Sequence, residues 1–229
     1  MFEILFIDLD DTILDFKKAE NVALRKTLQE FGLAPTDEVC ARYSAINQLH
    51  WEMLERKEID RDQVLFGRFE VLFQEYGIAA DAVTVSRRYT ENLGIGHYFL
   101  PGAEEAVKAL SQKYRLFLTS NGTTHVQKSR LASADIEKYF EDIFISQQIG
   151  VNKPDKGFFD GCFARIKDFD ASKTMIVGDS LTSDILGGIN AGIATCWVNP
   201  KGKKARADIC PDYEIESLSK LEALLEGLA

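Results

Sequence analysis

In Phe2-Glu3-Ile4-Leu5-Phe6-Ile7-Asp8-Leu9-Asp10-Asp11-Thr12 an apolar run leads straight into a cluster of carboxylates. Such a run reads as a buried strand of a parallel sheet, and parallel strands present their carboxyl ends to a ligand crevice. Side chains alternate along a strand, so the pattern predicts Asp8 and Asp10 on one side and Leu9 on the other. Two carboxylates held together repel each other, and a hard divalent cation bound through oxygen is the natural counter-charge. Taken alone, a solvated turn in which Asp or Thr caps the following helix explains the same residues as well.

Outward from this run, the pattern changes after Leu14 to a helical period for roughly eighty residues. Helices are expected over 19–31, stopping at Gly32, over 39–56, over 63–76, stopping at Gly77, and over 81–93. Gly77 stands where a left-handed helix cap belongs. The segment Gly94-Ile95-Gly96-His97-Tyr98-Phe99-Leu100-Pro101-Gly102 reads as a linker. From Glu104 onward helix and strand alternate, with strands expected at 115–119, 142–146, 174–177 and 193–198. Helices are expected to 113, from 124, over 156–166, from 183 and from 218. This alternation predicts an α/β fold with a parallel sheet covered by helices. The sheet domain is expected to comprise 1–14 and 100–229, with a helical domain inserted over 15–99. The insert leaves immediately after the carboxylates, where it can serve as a cap over them.

A chain of 229 residues can hold one large domain or a core plus an insert. Its net charge of -9 argues against a nucleic-acid or anionic-membrane surface. A small anionic substrate stays compatible, because a metal and one or two local cations can reverse the sign inside a cleft. The start Met1-Phe2-Glu3 lacks the features of a secretion signal, and no apolar stretch would span a bilayer, so a cytoplasmic protein is expected. Cys40, Cys162, Cys196 and Cys210 are widely spread without a CxxC pair, which predicts free structural thiols and no zinc site.

Three further segments lie at or just past expected strand ends, and in a parallel sheet such ends share one edge. Ser120-Asn121-Gly122 offers a hydroxyl and backbone amides where a helix opens, which suits a phosphate oxyanion, although Asn-Gly is also a common turn. Lys153 precedes Pro154, which is expected to pre-set the first helical turn and so fix the lysine; most lysines are simply solvated. Asp179 falls at a strand end after Val177-Gly178, and Asp184 in the first turn of the next helix, where it could also complement the helix dipole. Together the four segments supply carboxylates for a cation, donors for an oxyanion and a lysine for charge balance. That inventory suits phosphoryl transfer through an aspartyl-phosphate.

At this point the chain resembles the haloacid dehalogenase superfamily of phosphohydrolases over nearly its full length. Asp8-Leu9-Asp10-Asp11-Thr12 looks like the first family motif, Ser120-Asn121-Gly122 the second, Lys153-Pro154 the third, and Gly178-Asp179 to Asp184 the fourth. The helical insert is similar to the C1 cap of that family. The resemblance implies a Rossmann-like core, Mg²⁺ dependence and a mobile cap. It makes Asp8 the nucleophile and Asp10 the acid that protonates the leaving oxygen and later deprotonates water. It puts Mg²⁺ on Asp8, the Asp10 backbone carbonyl and Asp179, with Asp184 joining through water or orienting Lys153. Ser120, the amides near Asn121 and Gly122, and Lys153 would hold the phosphate oxygens, while Asp11 and Thr12 shape the loop. The Asp-Asp-Thr ending, Ser-Asn-Gly and the length of the insert look like the pyrimidine 5′-nucleotidase subgroup. A small phosphorylated metabolite is thus the expected partner, with neither nucleic acid nor membrane, and the chain is expected to be a monomer or weak homodimer.

Three rival readings are open. Dehalogenases of the superfamily lack the second aspartate that Asp10 supplies here. A sugar-phosphate phosphatase or phosphomutase would use the same aspartyl-phosphate. A response-regulator receiver combines similar groups, but its acids are not paired on the first strand ahead of a large insert. Among aromatic residues that could stack on a base, Phe66, Phe69 and Phe73 are spaced by three and four, which favours helix–helix core over a binding face; Trp51 fits either. His50, His97 and His125 have no partner at metal-ligand spacing.

Overall fold

In the computed structural model, which describes residues 1–228, the chain order begins with β1 (Ile4–Asp8), α1 (Phe16–Glu30), α2 (Asp37–Glu55), α3 (Arg61–Tyr76) and α4 (Ala82–Leu93). It continues with α5 (Ala103–Leu110), β2 (Arg115–Ser120), α6 (Thr124–Ala134), β3 (Asp142–Ile145), α7 (Ser146–Ile149) and α8 (Lys156–Phe163). Then come β4 (Thr174–Gly178), α9 (Leu186–Ala191), β5 (Ala194–Val198), β6 (Tyr213–Ile215) and α10 (Leu221–Gly227). The strands form one sheet of order β3-β2-β1-β4-β5-β6, and every pairing is parallel. The fold is therefore the expected α/β, Rossmann-like one. Contacts divide the chain into two units, Met1–Phe16 with His97–Ala229, and Lys17–Gly96.

In the sheet unit, both faces of β1 are buried, as a parallel strand requires. Leu5 and Ile7 pack with Val107 and Leu110 of α5, Leu131 of α6 and Leu221 and Leu225 of α10. Ile4 and Phe6 face the other way, onto Phe117, Phe144 and the α8 residues Phe158, Phe159 and Cys162. Each such side chain contributes about 1.5–3 kcal/mol by leaving water. The period of two that sorts these residues also sends Asp8 to the Phe6 side, and Leu9, just past the strand, is fully buried in the cluster around Leu5 and Ile7. The outgoing and returning connections run side by side: Leu14 bridges Phe99, Leu100 N donates to Ile13 O and Asp15 N to Tyr98 O.

The second unit contains α1 from Lys17 onward and α2, α3 and α4. Tyr43, Phe69 and Tyr89 meet at its centre, with ring centroids 4.9–5.5 Å apart. Phe69 and Phe73 belong to this core, as their spacing suggests, whereas Phe66 is only half-buried. Beside the rings lies a buried polar network. Ser44 Oγ and Asn47 Nδ2 donate to the Glu20 carboxylate at 2.6 and 2.7 Å, and Arg68 Nη1 donates to Asn47 Oδ1 at 2.6 Å. The Arg68 guanidinium carbon also sits 5.0 Å from the Tyr89 ring centroid, a cation–π contact. Among the described residues no helix is long and apolar enough to cross a membrane.

Helix ends follow local rules. Asp60 and Gln63 form a capping box at α3, and Gly77 ends it with φ of 62°. Asp81 caps α4 by accepting from Thr84 N. The short strand β6 and the four-residue α7 were not expected. The helix expected from 183 instead opens as a π-helical turn, Leu181–Ile185.

Candidate active site

Parallel pairing puts the carboxyl ends of β1, β2 and β4 on one edge. Asp8 ends β1, Ser120 ends β2 and Gly178 ends β4. The chain builds outward to β2 and β3 on one side of β1 and to β4, β5 and β6 on the other. That makes the carboxyl end of β1 a topological switch point, the place where open α/β sheets bind ligands.

Lys153 precedes α8, which packs on the sheet face that Asp8 occupies. Its Nζ donates to Asp8 Oδ1 and to Asp184 Oδ1, each at 2.7 Å. Lys153 and Asp184 are each 1% exposed, so this ammonium is committed to the site and not to solvent. Pro154 does not sit in the first helical turn as expected, because Asp155 is the N-cap and α8 starts only at Lys156. What fixes the lysine is Asn121, whose Oδ1 accepts from Lys153 N and whose Nδ2 donates to Lys153 O, both at 2.9 Å. The same Nδ2 also reaches Ser183 Oγ at 3.1 Å. The Asn121 side chain thus ties the β2 loop to the lysine loop.

Asp184 lies in the π-helical turn, where its second oxygen accepts from Ser180 N at 3.1 Å. A side chain at Gly178 would collide with the Asp184 carboxyl, so glycine is required there. Trp197 of β5 donates its indole N–H to the Asp179 carbonyl at 2.8 Å and steadies that loop. Carboxylate oxygens of Asp8, Asp179 and Asp184 all lie within 4.8 Å of one another.

Asp10 lies past the end of β1, so strand alternation does not extend to it. The loop sets its place: Asp10 bridges Leu14, and Asp11 takes φ of 55° and accepts from Phe16 N at 3.0 Å. Asp11 therefore caps α1, while Thr12 is buried. The Asp10 carboxylate stands outside the three-carboxylate group. It is held by Arg130, which pairs with Oδ1, and by Gln127 Nε2, which donates to Oδ2 at 2.6 Å. Gln127 Nε2 also donates to Ser120 Oγ at 2.7 Å, as does Gly122 N at 3.0 Å. A side chain on Gly122 would overlap Gln127, which explains the glycine.

Negative charge is concentrated here: Lys153 bridges Asp8 and Asp184, and the Asp179 carboxylate lies within 4.8 Å of both. Burial, with Asp184 and Asp10 adding to it, pushes the Asp8 carboxyl up to about 8 against the opposing pull of Lys153. Burial alone would lower the Lys153 ammonium, but Asp184 and Asp8 override it and hold the group above its ordinary range. A divalent cation would relieve this excess. The clustered donors are all carboxylate oxygens, a set that suits hard Mg²⁺ and not zinc or copper.

Arg130, Gln127 and Trp197 were missed in the sequence. A signal existed for the first two: they stand at i and i+3 on the helix opening just after Ser120-Asn121-Gly122, so they share a face. His97 and His125 are exposed, and half-buried His50 lies 2.8 Å from the Ile46 carbonyl through Nδ1; none joins the site. Trp51 carries Arg61 over its ring at 5.7 Å. Cys40, Cys162 and Cys196 are buried free thiols, and Cys210 is an exposed one.

Residues 4–198 match the family described as haloacid dehalogenase-like hydrolase. The HAD-hydrolase YfnB of Bacillus subtilis is 40% identical over 98% of this chain and 95% of its own. Its crystal structure, bound to magnesium, superposes with a TM-score of 0.94 over 98% of both chains. The pyrimidine 5′-nucleotidase PynA of Streptococcus pneumoniae is 37% identical over 96% of this chain and 93% of that one. The pyrimidine 5′-nucleotidase YjjG of Escherichia coli is 30% identical over 96% of each.

Proposed function

Because this chain belongs to the haloacid dehalogenase-like hydrolase family, we propose that it is a Mg²⁺-dependent phosphomonoester hydrolase acting on nucleoside 5′-monophosphates, with pyrimidines favoured. The observation that carries the chemistry is the buried Lys153 bridging Asp8 and Asp184 within a carboxylate group that also includes Asp179. The substrate class rests on likeness to the two pyrimidine 5′-nucleotidases.

Asp8 is the nucleophile. Its carboxylate attacks phosphorus, an aspartyl-phosphate bond forms and the ester P–O bond breaks. Asp10 gives its proton to the departing oxygen, then takes one from the water that attacks the aspartyl-phosphate and frees Asp8. The sum is ester plus water to alcohol plus phosphate. Lys153 fixes one oxygen of Asp8 and, with Ser120 and the amides of the Asn121–Gly122 turn, holds phosphoryl oxygens as charge shifts among them. Asp184 orients Lys153. Mg²⁺, held by Asp8, Asp179, Asp184 and the Asp10 carbonyl, would neutralise the excess charge and polarise the phosphoryl group.

The test is phosphate release from nucleoside monophosphates, sugar phosphates and an aryl phosphate, with Mg²⁺ and with chelator. Metal-dependent release favouring pyrimidine monophosphates is expected. Release from sugar phosphates alone would keep the mechanism and discard the substrate, and no metal-dependent release would discard both.

A further inference from the structure

We propose that Gln127 and Arg130 are a positioning pair that sets the proton-transfer carboxylate and the phosphate-binding hydroxyl in register from one helix. The inference rests on the roles proposed above for Asp10 and Ser120. It starts from Arg130, whose side chain is 0% exposed. A wholly buried guanidinium is costly unless paired, and well-packed apolar residues would stabilise such a position as well or better. Here the charge is directed at Asp10, whose side chain is 29% exposed and so remains accessible from outside.

Gln127 closes the arrangement. Its Oε1 accepts from Arg130 Nη1 at 3.2 Å, and its Nε2 donates to Asp10 Oδ2 and Ser120 Oγ. Arg130 on Oδ1 and Gln127 on Oδ2 fix the plane of the carboxylate, and each oxygen keeps a second lone pair for the proton in transit. The effect on Ser120 follows from counting. A hydroxyl has two acceptor lone pairs and one hydrogen. Gln127 Nε2 and Gly122 N fill both acceptor positions, so the hydrogen is what Ser120 has left to offer. A donor is what a phosphate oxygen needs. The glycine at 122 belongs to the same device, since a side chain there would displace Gln127.

Two variants separate this role from a merely structural one. Gln127→Met keeps length and volume but loses all three amide contacts; Arg130→Lys keeps the charge but withdraws the nitrogen that meets Asp10 Oδ1 and Gln127 Oε1. The readout is kcat/KM, which covers aspartyl-phosphate formation only, for a nucleoside monophosphate and for 4-nitrophenyl phosphate. The aryl leaving group needs little protonation, so misplacing the acid penalises the nucleotide more. Both variants are expected to lose at least about tenfold more on the nucleotide than on the aryl ester. Gln127→Met should also lose more on the aryl ester than Arg130→Lys does, because it alone releases the Ser120 hydroxyl. Equal losses on both substrates, or losses that track the melting temperature, would overturn the inference. If Arg130→Lys does not fold, the Gln127→Met ratio decides alone. Asp10→Asn in the same assay separates the levels: a selective Asp10→Asn with unselective pair variants sinks only the pair. An unselective Asp10→Asn sinks the acid assignment and the pair with it.

Discussion

Both units of this protein bury charge, but they bury it differently. In the helical unit, Glu20 and Arg68 are one anion and one cation, linked through Asn47, with Ser44 and the aromatic rings taking up the remaining contacts. At the sheet edge, two carboxylates share one ammonium and a third lies within 4.8 Å of them. The first arrangement links one anion to one cation through a shared amide; part of its desolvation cost is offset internally, and it reads as a device for packing four helices one way. The second is left in deficit, so it is stable only to the extent that a proton or a cation completes it. Burial of charge does not mark a functional site. Imbalance at the open end of a sheet is what supports the proposed one.

The largest effect expected from this contrast is at Asp8. Asp8→Asn should lower kcat at least roughly a thousandfold, about 4 kcal/mol of transition-state stabilisation. It should leave the metal-free melting temperature unchanged or raised, because burial already keeps the Asp8 carboxyl protonated up to about 8, the amide replaces a neutral group, and Lys153 keeps Asp184. Steady-state kinetics and a thermal melt read both. Activity near wild type would remove Asp8 as nucleophile, and a marked drop in melting temperature would erase the distinction between the units.

Arg68→Met tests the other side with the opposite signature. Removing the cation strands Asn47 Oδ1 and takes a positive charge from the network around Glu20, at a cost of about 3 kcal/mol in denaturant unfolding. Adding Glu20→Gln should recover part of that loss, since the network is then neutral again. Total activity should follow the folded fraction, with activity per folded molecule unchanged. A stable Arg68→Met with lost turnover would mean that the helical network serves the reaction and not the packing.

The sheet unit was legible wherever a long apolar run met a turn. Ile4 to Ile7 announced β1, and the carboxylates after them announced the edge at which a ligand belongs. Lys153 was legible as a residue type, but its anchor was not: Asn121 lies 32 positions away and only the parallel crossing brings the two loops together. Arg130 and Gln127 were hidden because polar residues on a helix read by default as its solvated face, and only tertiary packing buries them. Asp10 was singled out by strand alternation, which does not reach it, since the strand stops at Asp8 and a left-handed Asp11 turns the loop. β6 escaped because Tyr213–Ile215 is three residues long and lies at the sheet margin, too short for any period to register.

The smallest expected effect is also the most direct measure of the deficit. In the metal-free protein Asp8 keeps its proton to about 8, whereas an unfolded aspartate loses it near 3.8. Between those values the folded state binds more protons than the unfolded state, so stability falls as pH rises through the window. The sign is opposite to that of an ordinary salt-bridged carboxylate, because burial and like charge outweigh Lys153. In the proposed site Mg²⁺ would bind the ionised carboxylate, so it would compete with the proton and gain as the proton leaves. Its stabilisation, about 2.7 kcal/mol at a hundredfold excess over Kd, should therefore shift the melting temperature more near pH 8.5 than near pH 6. Calorimetry with chelator and with Mg²⁺ at the two pH values reads the difference. The balanced helical network should contribute nothing to it, so Arg68→Met should lower both curves alike, while Asp8→Asn should flatten the pH dependence. A pH-independent shift by Mg²⁺ would mean that the three carboxylates are already ionised and compensated without a cation, and the contrast between the two units would then fail.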